Sequence, residues 1–107
     1  MRVELEHGPV IDVRFHKKHR SIEKGRFKGR VVVDTACIVS EVVGQEAGKS
    51  TFEQISSDVA LHCPKDKYNK YRGKQISLTR ALYKSNIPGK DTCVVLNQFE
   101  KEFAHCK

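Results

Sequence analysis

The segment Val31–Val43 constrains the fold more than any other part of the chain. Val31, Val33, Thr35, Cys37, Val39 and Val43 recur with a period of two. That period places β-branched side chains on one face of a pleated strand. A strand of this length needs neighbours, because buried backbone N–H and C=O groups must be paired. Thr51–Cys63 supplies one neighbour, with Ile55, Val59, Leu61 and Cys63 on one face. Gly44–Gly48 forms the turn between the two runs, so the simplest pairing is a hairpin.

Two shorter strands are expected upstream, Val3–Leu5 and Val10–Phe15, around the turn signal His7-Gly8-Pro9. In the second, Ile11, Val13 and Phe15 alternate with Asp12 and Arg14, which suits a half-buried strand. Lys17–Gly29 is polar and carries Gly25 and Gly29, and it reads as a long hairpin loop.

Downstream the period changes. Pro64-Lys65-Asp66 stops the strand, and Asp66 can cap a helix running to about Lys84. Tyr68, Ile76, Thr79 and Tyr83, flanked by Leu78 and Leu82, make its apolar stripe. Gly73 lies inside it at a cost of about 1 kcal/mol against Ala. It either delays the helix start or admits a close backbone approach. Ile87-Pro88-Gly89 breaks the chain, and Asp91 can cap a second helix through about His105. Val95, Phe99 and Phe103 form the stripe of this helix, which packs on the core or, at Phe99 and Phe103, on a second copy of the chain. The order of elements gives an α+β fold, an antiparallel sheet followed by two C-terminal α-helices. Residues 1–107 form a single domain, long enough to bury a core without metal or disulfide staples.

Charge is unevenly spread. Residues 14–30 and 65–74 hold 13 of the 20 Lys and Arg but only two of the 13 Asp and Glu, a net +11 on a remainder of −4. Such clustering raises the local concentration of anions. It points to a partner rich in phosphate, either a nucleotide in a pocket or nucleic acid in a groove. These differ in salt response, steep for many contacts along a duplex and weaker for a shielded pocket.

Catalytic and metal signatures are weak. Gly44-Gln-Glu-Ala-Gly48-Lys49-Ser50 resembles a phosphate loop but has three residues between the glycines and precedes a strand. His16 and His19 lack further ligands nearby in sequence. Cys37, Cys63, Cys93 and Cys106 lack the C-x₂-C spacing of structural zinc and read as free thiols, with Cys37 and Cys63 buried in strands. His62 and Cys63, as strand neighbours, would point to opposite faces. His105-Cys106 escapes that objection but lies near a chain end. The expectation is no enzyme, no cofactor and no metal. No apolar run approaches the roughly 20 residues that cross a bilayer, and Met1–Glu6 shows no export signal, so a cytoplasmic protein with no membrane partner is expected.

His62-Cys63-Pro64-Lys65-Asp66-Lys67-Tyr68, followed by Gly73, Ser77 and Arg80-Ala81-Leu82, resembles a motif of small tailed-phage accessory proteins, Cys-x-Pro-x-Asp-x-aromatic at a strand-to-helix junction. The likeness covers about residues 31–105. In size and order of elements the chain is similar to the Thoeris anti-defence sponges. That resemblance implies a homo-oligomer in an infected bacterial cytoplasm that sequesters a cyclic ADP-ribose-class immune signal without cleaving it. It lies in architecture and not in matched ligand residues. The alternative is a basic inhibitor or accessory factor that binds nucleic acid or a nucleic-acid enzyme, of the anti-CRISPR type. On the first reading Arg26, Arg30, Arg72 and Arg80 pair with phosphate, because arginine's planar fork suits bidentate contacts. Lys67 and Lys74 add charge at the helix start, and Tyr68 or Tyr71 offers a ring for stacking.

Overall fold

A computed structural model describes residues 1–6, 8–46, 48–65 and 67–104. Four strands, β1 (Arg2–Glu4), β2 (Val10–Ser21), β3 (Val31–Glu46) and β4 (Lys49–Ala60), precede two helices, α1 (Lys70–Lys84) and α2 (Gly89–Phe103). The strands form one antiparallel sheet in sequence order. The expected α+β architecture of a sheet followed by two helices is therefore present.

The core lies between one face of the sheet and the two helices. Ile11 and Val13 from β2 and Cys37 and Val39 from β3 meet Leu78, Ala81 and Leu82 of α1 and Val95 and Phe99 of α2. Period-two alternation puts the β2 and β3 members on one face. An aromatic cluster closes the core, with Phe99 5.0–5.9 Å from the rings of Phe15, Tyr71 and Phe103. The Tyr71 hydroxyl donates to the Glu100 carboxylate and joins α1 to α2. The stripe of α1 thus runs through Tyr71, Ser77, Leu78, Ala81 and Leu82, and expected member Tyr83 is 87% exposed. Phe99 is only 2% exposed and packs on the core, so it offers no face to a second copy.

Element boundaries differ from expectation in instructive ways. β2 continues to Ser21, through residues expected as loop, because backbone pairing from Lys17↔Thr35 to Ser21↔Val31 needs no apolar side chains. The tip is then only residues 22–30, closed by Ile22 N–H to Arg30 O and Gly29 N–H to Ile22 O, both at 2.9 Å. Gly25 and Gly29 supply the positive φ values of 89° and 88° that this tight tip requires. α1 begins at Lys70, with Asn69 as cap: its side chain accepts from the Arg72 N–H at 3.0 Å. The expected cap, Asp66, lies outside the described residues, as do His7 of the first turn, Ala47 and the pair His105-Cys106. In α2, Pro88 occupies the cap position and Asp91 sits in the first turn without a side-chain capping bond.

The expected faces of the long hairpin hold only at the centre. Register shifts at Val39/Ser40 and Val42/Gly44 let β4 change face against β3. Val43, at the second shift, is 50% exposed, and Val31 and Leu61, both beyond the β3–β4 ladder, are 59% and 67% exposed. Gly44 marks one of these irregularities, while Gly48, at φ 80°, serves the β3–β4 turn.

Gly73 sits where α1 crosses β3. A Cβ there would lie 2.5 Å from Thr35 Oγ1 and 3.2 Å from Thr35 Cβ. The glycine is therefore a close-approach residue inside the helix.

Candidate functional site

Asp34 anchors the segment that walls the site. It is 4% exposed and receives Arg20 Nε at 2.8 Å and the His62 N–H at 2.9 Å. Burial pushes its carboxyl up, but the Arg20 hydrogen bond, the His62 amide and the guanidinium charge outweigh that and hold it below its usual value. Arg20 also donates to His62 O, and Arg30 Nη1 to Pro64 O, each at 3.3 Å. These bonds carry the chain from β4 across the end of β3 and set it against the start of α1.

A groove opens between that crossing segment, the exposed end of β3 and the first turns of α1. One part has a volume of 140 Å³, and Lys67, Tyr68, Asn69, Arg72, His62 and Cys63 line it over Val33 and Thr35. A second part of 220 Å³ shares Val33, His62 and Tyr68 and adds Arg30, Val31 and Pro64. The floor is apolar valine. One wall carries the Tyr68 ring, edge-on to His62 at 5.7 Å. Cationic side chains stand at the rim. Lys67 and Arg72 flank the N-terminus of α1, where unpaired amides favour an anion.

The structure brings some of the expected binding residues together and separates others. Arg30, Lys67, Tyr68 and Arg72 share the groove. Arg80 follows Ile76 and Arg72 at helical spacing and lines a neighbouring depression with them, its guanidinium 3.4 Å from Val59 O. Arg26 lies in the β2–β3 tip over the Phe27 ring at 5.8 Å, away from this cluster. Lys74 points to the other side of α1, with its ammonium 4.5 Å from the Phe103 ring centre and 5.6 Å from that of Phe15. Tyr71 is 7% exposed and held by Glu100 in the core, so it offers no open ring face. Tyr68 is the tyrosine left for stacking.

Two corrections concern the thiols. β4 ends at Ala60, so His62 and Cys63 are not strand neighbours and both line the groove. Cys63 is exposed, contrary to the burial expected of it. Cys37 is buried as expected, and that burial pushes its thiol up to about 12. Among the described residues no three of His, Cys, Asp and Glu come close enough to hold a metal ion. Among them also, no helix is long and apolar enough to cross a membrane.

Sequence reasoning missed Asp34, Asn69 and the groove role of His62. Asp34 had one available signal, a carboxylate inside the strongest β-branched run, where an unpartnered charge would be costly. Asn69 is an ordinary cap residue lying four positions before Gly73.

No protein-family model matches the chain, and neither does any curated protein or solved structure.

Proposed function

We propose that the protein binds a phosphate-bearing nucleotide in this groove and holds it without cleaving it, as a signal-sequestering sponge of the cyclic ADP-ribose class would. The carrying observation is the convergence of Arg30 from one basic segment with Lys67, Tyr68 and Arg72 from the other. Guanidinium groups supply bidentate phosphate contacts. Tyr68 and the apolar floor supply a surface for a base. Among the described residues the rim holds no pair of carboxylates placed for acid–base work.

Size bounds the ligand. Compartments of 140 and 220 Å³ are small beside the roughly 300–1,000 Å³ of sites that enclose a drug-sized molecule. One nucleoside phosphate fits the groove, and the rest of a larger nucleotide would lie along α1 toward Arg80.

Isothermal titration with cyclic ADP-ribose-class nucleotides, with linear ADP-ribose alongside, tests the proposal. Binding heat is expected with wild type, and chromatography of the released ligand should return it unaltered. Arg72→Ala/Arg80→Ala should weaken binding at least about 100-fold, the loss of two charged hydrogen-bonding groups, with the melting temperature unchanged. Absence of heat with every cyclic nucleotide sinks the proposal, and a degraded ligand sinks sequestration.

A further inference from the structure

The β2–β3 ribbon extends beyond the end of β4. Pairing of β3 with β4 ends at Thr35↔Ala60, whereas β2 and β3 continue together to Ser21↔Val31. Beyond the Lys17↔Thr35 pair the ribbon and its tip carry Lys18, Arg20, Lys24, Arg26, Lys28 and Arg30 against two acidic residues, Glu23 and the buried Asp34. Among the described residues only Arg20 of these six has a carboxylate within ion-pairing distance. Arg30 donates to Pro64 O, while Lys18, Lys24, Arg26 and Lys28 form no ion pair among the described residues.

We infer that this ribbon is a docking arm for double-stranded nucleic acid. The inference goes beyond the groove reading and rests on different side chains, Arg30 at the junction excepted. Three observations choose this occupant. Lys17 and Lys18 are strand neighbours, so cations stand on both faces of the ribbon. A flat acidic protein surface would engage one face only, while a duplex groove presents phosphates on both sides. The dimensions agree, since paired strands lie about 4.8 Å apart and the major groove, about 12 Å wide, admits a two-stranded ribbon. The tip argues against a lipid surface. Its Phe27 ring is half-buried, with the guanidiniums of Arg26 and Arg30 at 5.8 and 5.6 Å from its centre.

The arm is also held rigid. Arg20 and Arg30 brace it against His62 and Pro64, and the Arg20–Asp34 pair fixes its base. Docking would therefore carry little ordering cost.

Fluorescence anisotropy with a duplex of roughly two helical turns tests the arm. Affinity is expected to fall several hundredfold between about 50 and 200 mM salt, the dependence of four or five phosphate contacts. Lys24→Ala/Arg26→Ala/Lys28→Ala should weaken binding strongly and reduce the salt slope by about one per side chain removed. The control Lys90→Ala/Lys101→Ala on α2, which removes two charges outside the arm, should change binding less than about threefold at the same salt. Arg26→Glu alone provides a second variant should the triple variant melt early. Equal affinity for the single strand, an unchanged slope in the triple variant, or no duplex binding at 50 mM salt each overturns the arm. Nucleotide titration of the same triple variant keeps the two proposals apart, because Lys24, Arg26 and Lys28 do not line the groove.

Discussion

A carboxylate left 4% exposed in a β-branched strand is tolerated only with partners, and Asp34 has two, Arg20 and the His62 amide. Removing the side chain leaves the His62 amide without its acceptor, while the guanidinium of Arg20, 42% exposed, can turn to water. Asp34→Ala is expected to cost about 1–3 kcal/mol, the penalty of an unpaired buried donor, read as a lower denaturant midpoint, and to loosen the groove whose wall His62 anchors. The pH dependence has a definite sign. The folded carboxyl lies below its unfolded value of about 3.9. Its contribution is therefore complete above pH ~4 and is lost as pH falls through the folded value. Acid titration of the melting temperature should show a steeper decline below pH ~4 in wild type than in Asp34→Asn, which keeps an acceptor for His62 but cannot titrate. Parallel curves would remove Asp34 from that role. Cys37 behaves in the opposite range. Its folded thiol, raised to about 12, stays protonated while the unfolded thiol ionises near 8.5, so stability drains away between those values as pH rises. At pH ~8 iodoacetamide should modify exposed Cys63 and Cys93 quickly and reach Cys37 only on unfolding.

At the scale of elements, legibility followed side-chain periodicity. The centre of β3 and the Val95–Phe99 stripe of α2 were readable because apolar side chains recur there at a regular period, although Asp34, Ala36 and Ser40 on the other face of β3 are buried as well. The outer half of β2 was not, since Lys17–Ser21 holds strand geometry through its ladder with β3 and carries charges outward. The faces of β4 were misread because the register shifts against β3 leave no trace in a period-two pattern. Gly73 was ambiguous in sequence and is decided by its neighbour. On propensity alone Gly73→Ala would gain roughly 1 kcal/mol. Contact with Thr35 Oγ1 at 2.5 Å reverses that. A net loss of about 1–3 kcal/mol is expected from overpacking. Much of it should return in Gly73→Ala/Thr35→Ala, where the nearest atom is gone. Denaturant unfolding of the four members of this cycle would expose the coupling, and additive effects would mean that α1 can shift away from β3 at little cost.

Over the whole molecule, the two basic segments recognised in the sequence meet at one end. The bonds from Arg20 and Arg30 to the 62–64 segment bring the arm and the start of α1 together. Antiparallel pairing puts Glu41, Glu46 and Glu53 toward the other end of the long hairpin. The chain spans 50 × 27 × 25 Å, and its radius of gyration of 15.7 Å exceeds the ~13 Å typical of a compact chain this size. Clustering of charge was legible because it is a property of composition along the chain. Its division between a groove and a projecting arm was not, because it depends on how far β2 pairs with β3 and where β4 stops. That division makes a last prediction. A nucleotide in the groove meets a few charges, partly shielded by Tyr68 and His62, whereas a duplex on the arm displaces counterions at each phosphate contact. Between about 50 and 200 mM salt the nucleotide should lose less than ~10-fold in affinity and the duplex several hundredfold. Arg72→Ala should abolish the shallow response, and the triple arm variant should flatten the steep one. Two slopes that respond to separate variants mean two anion-binding surfaces, and a single slope abolished by either variant would make groove and arm one continuous site.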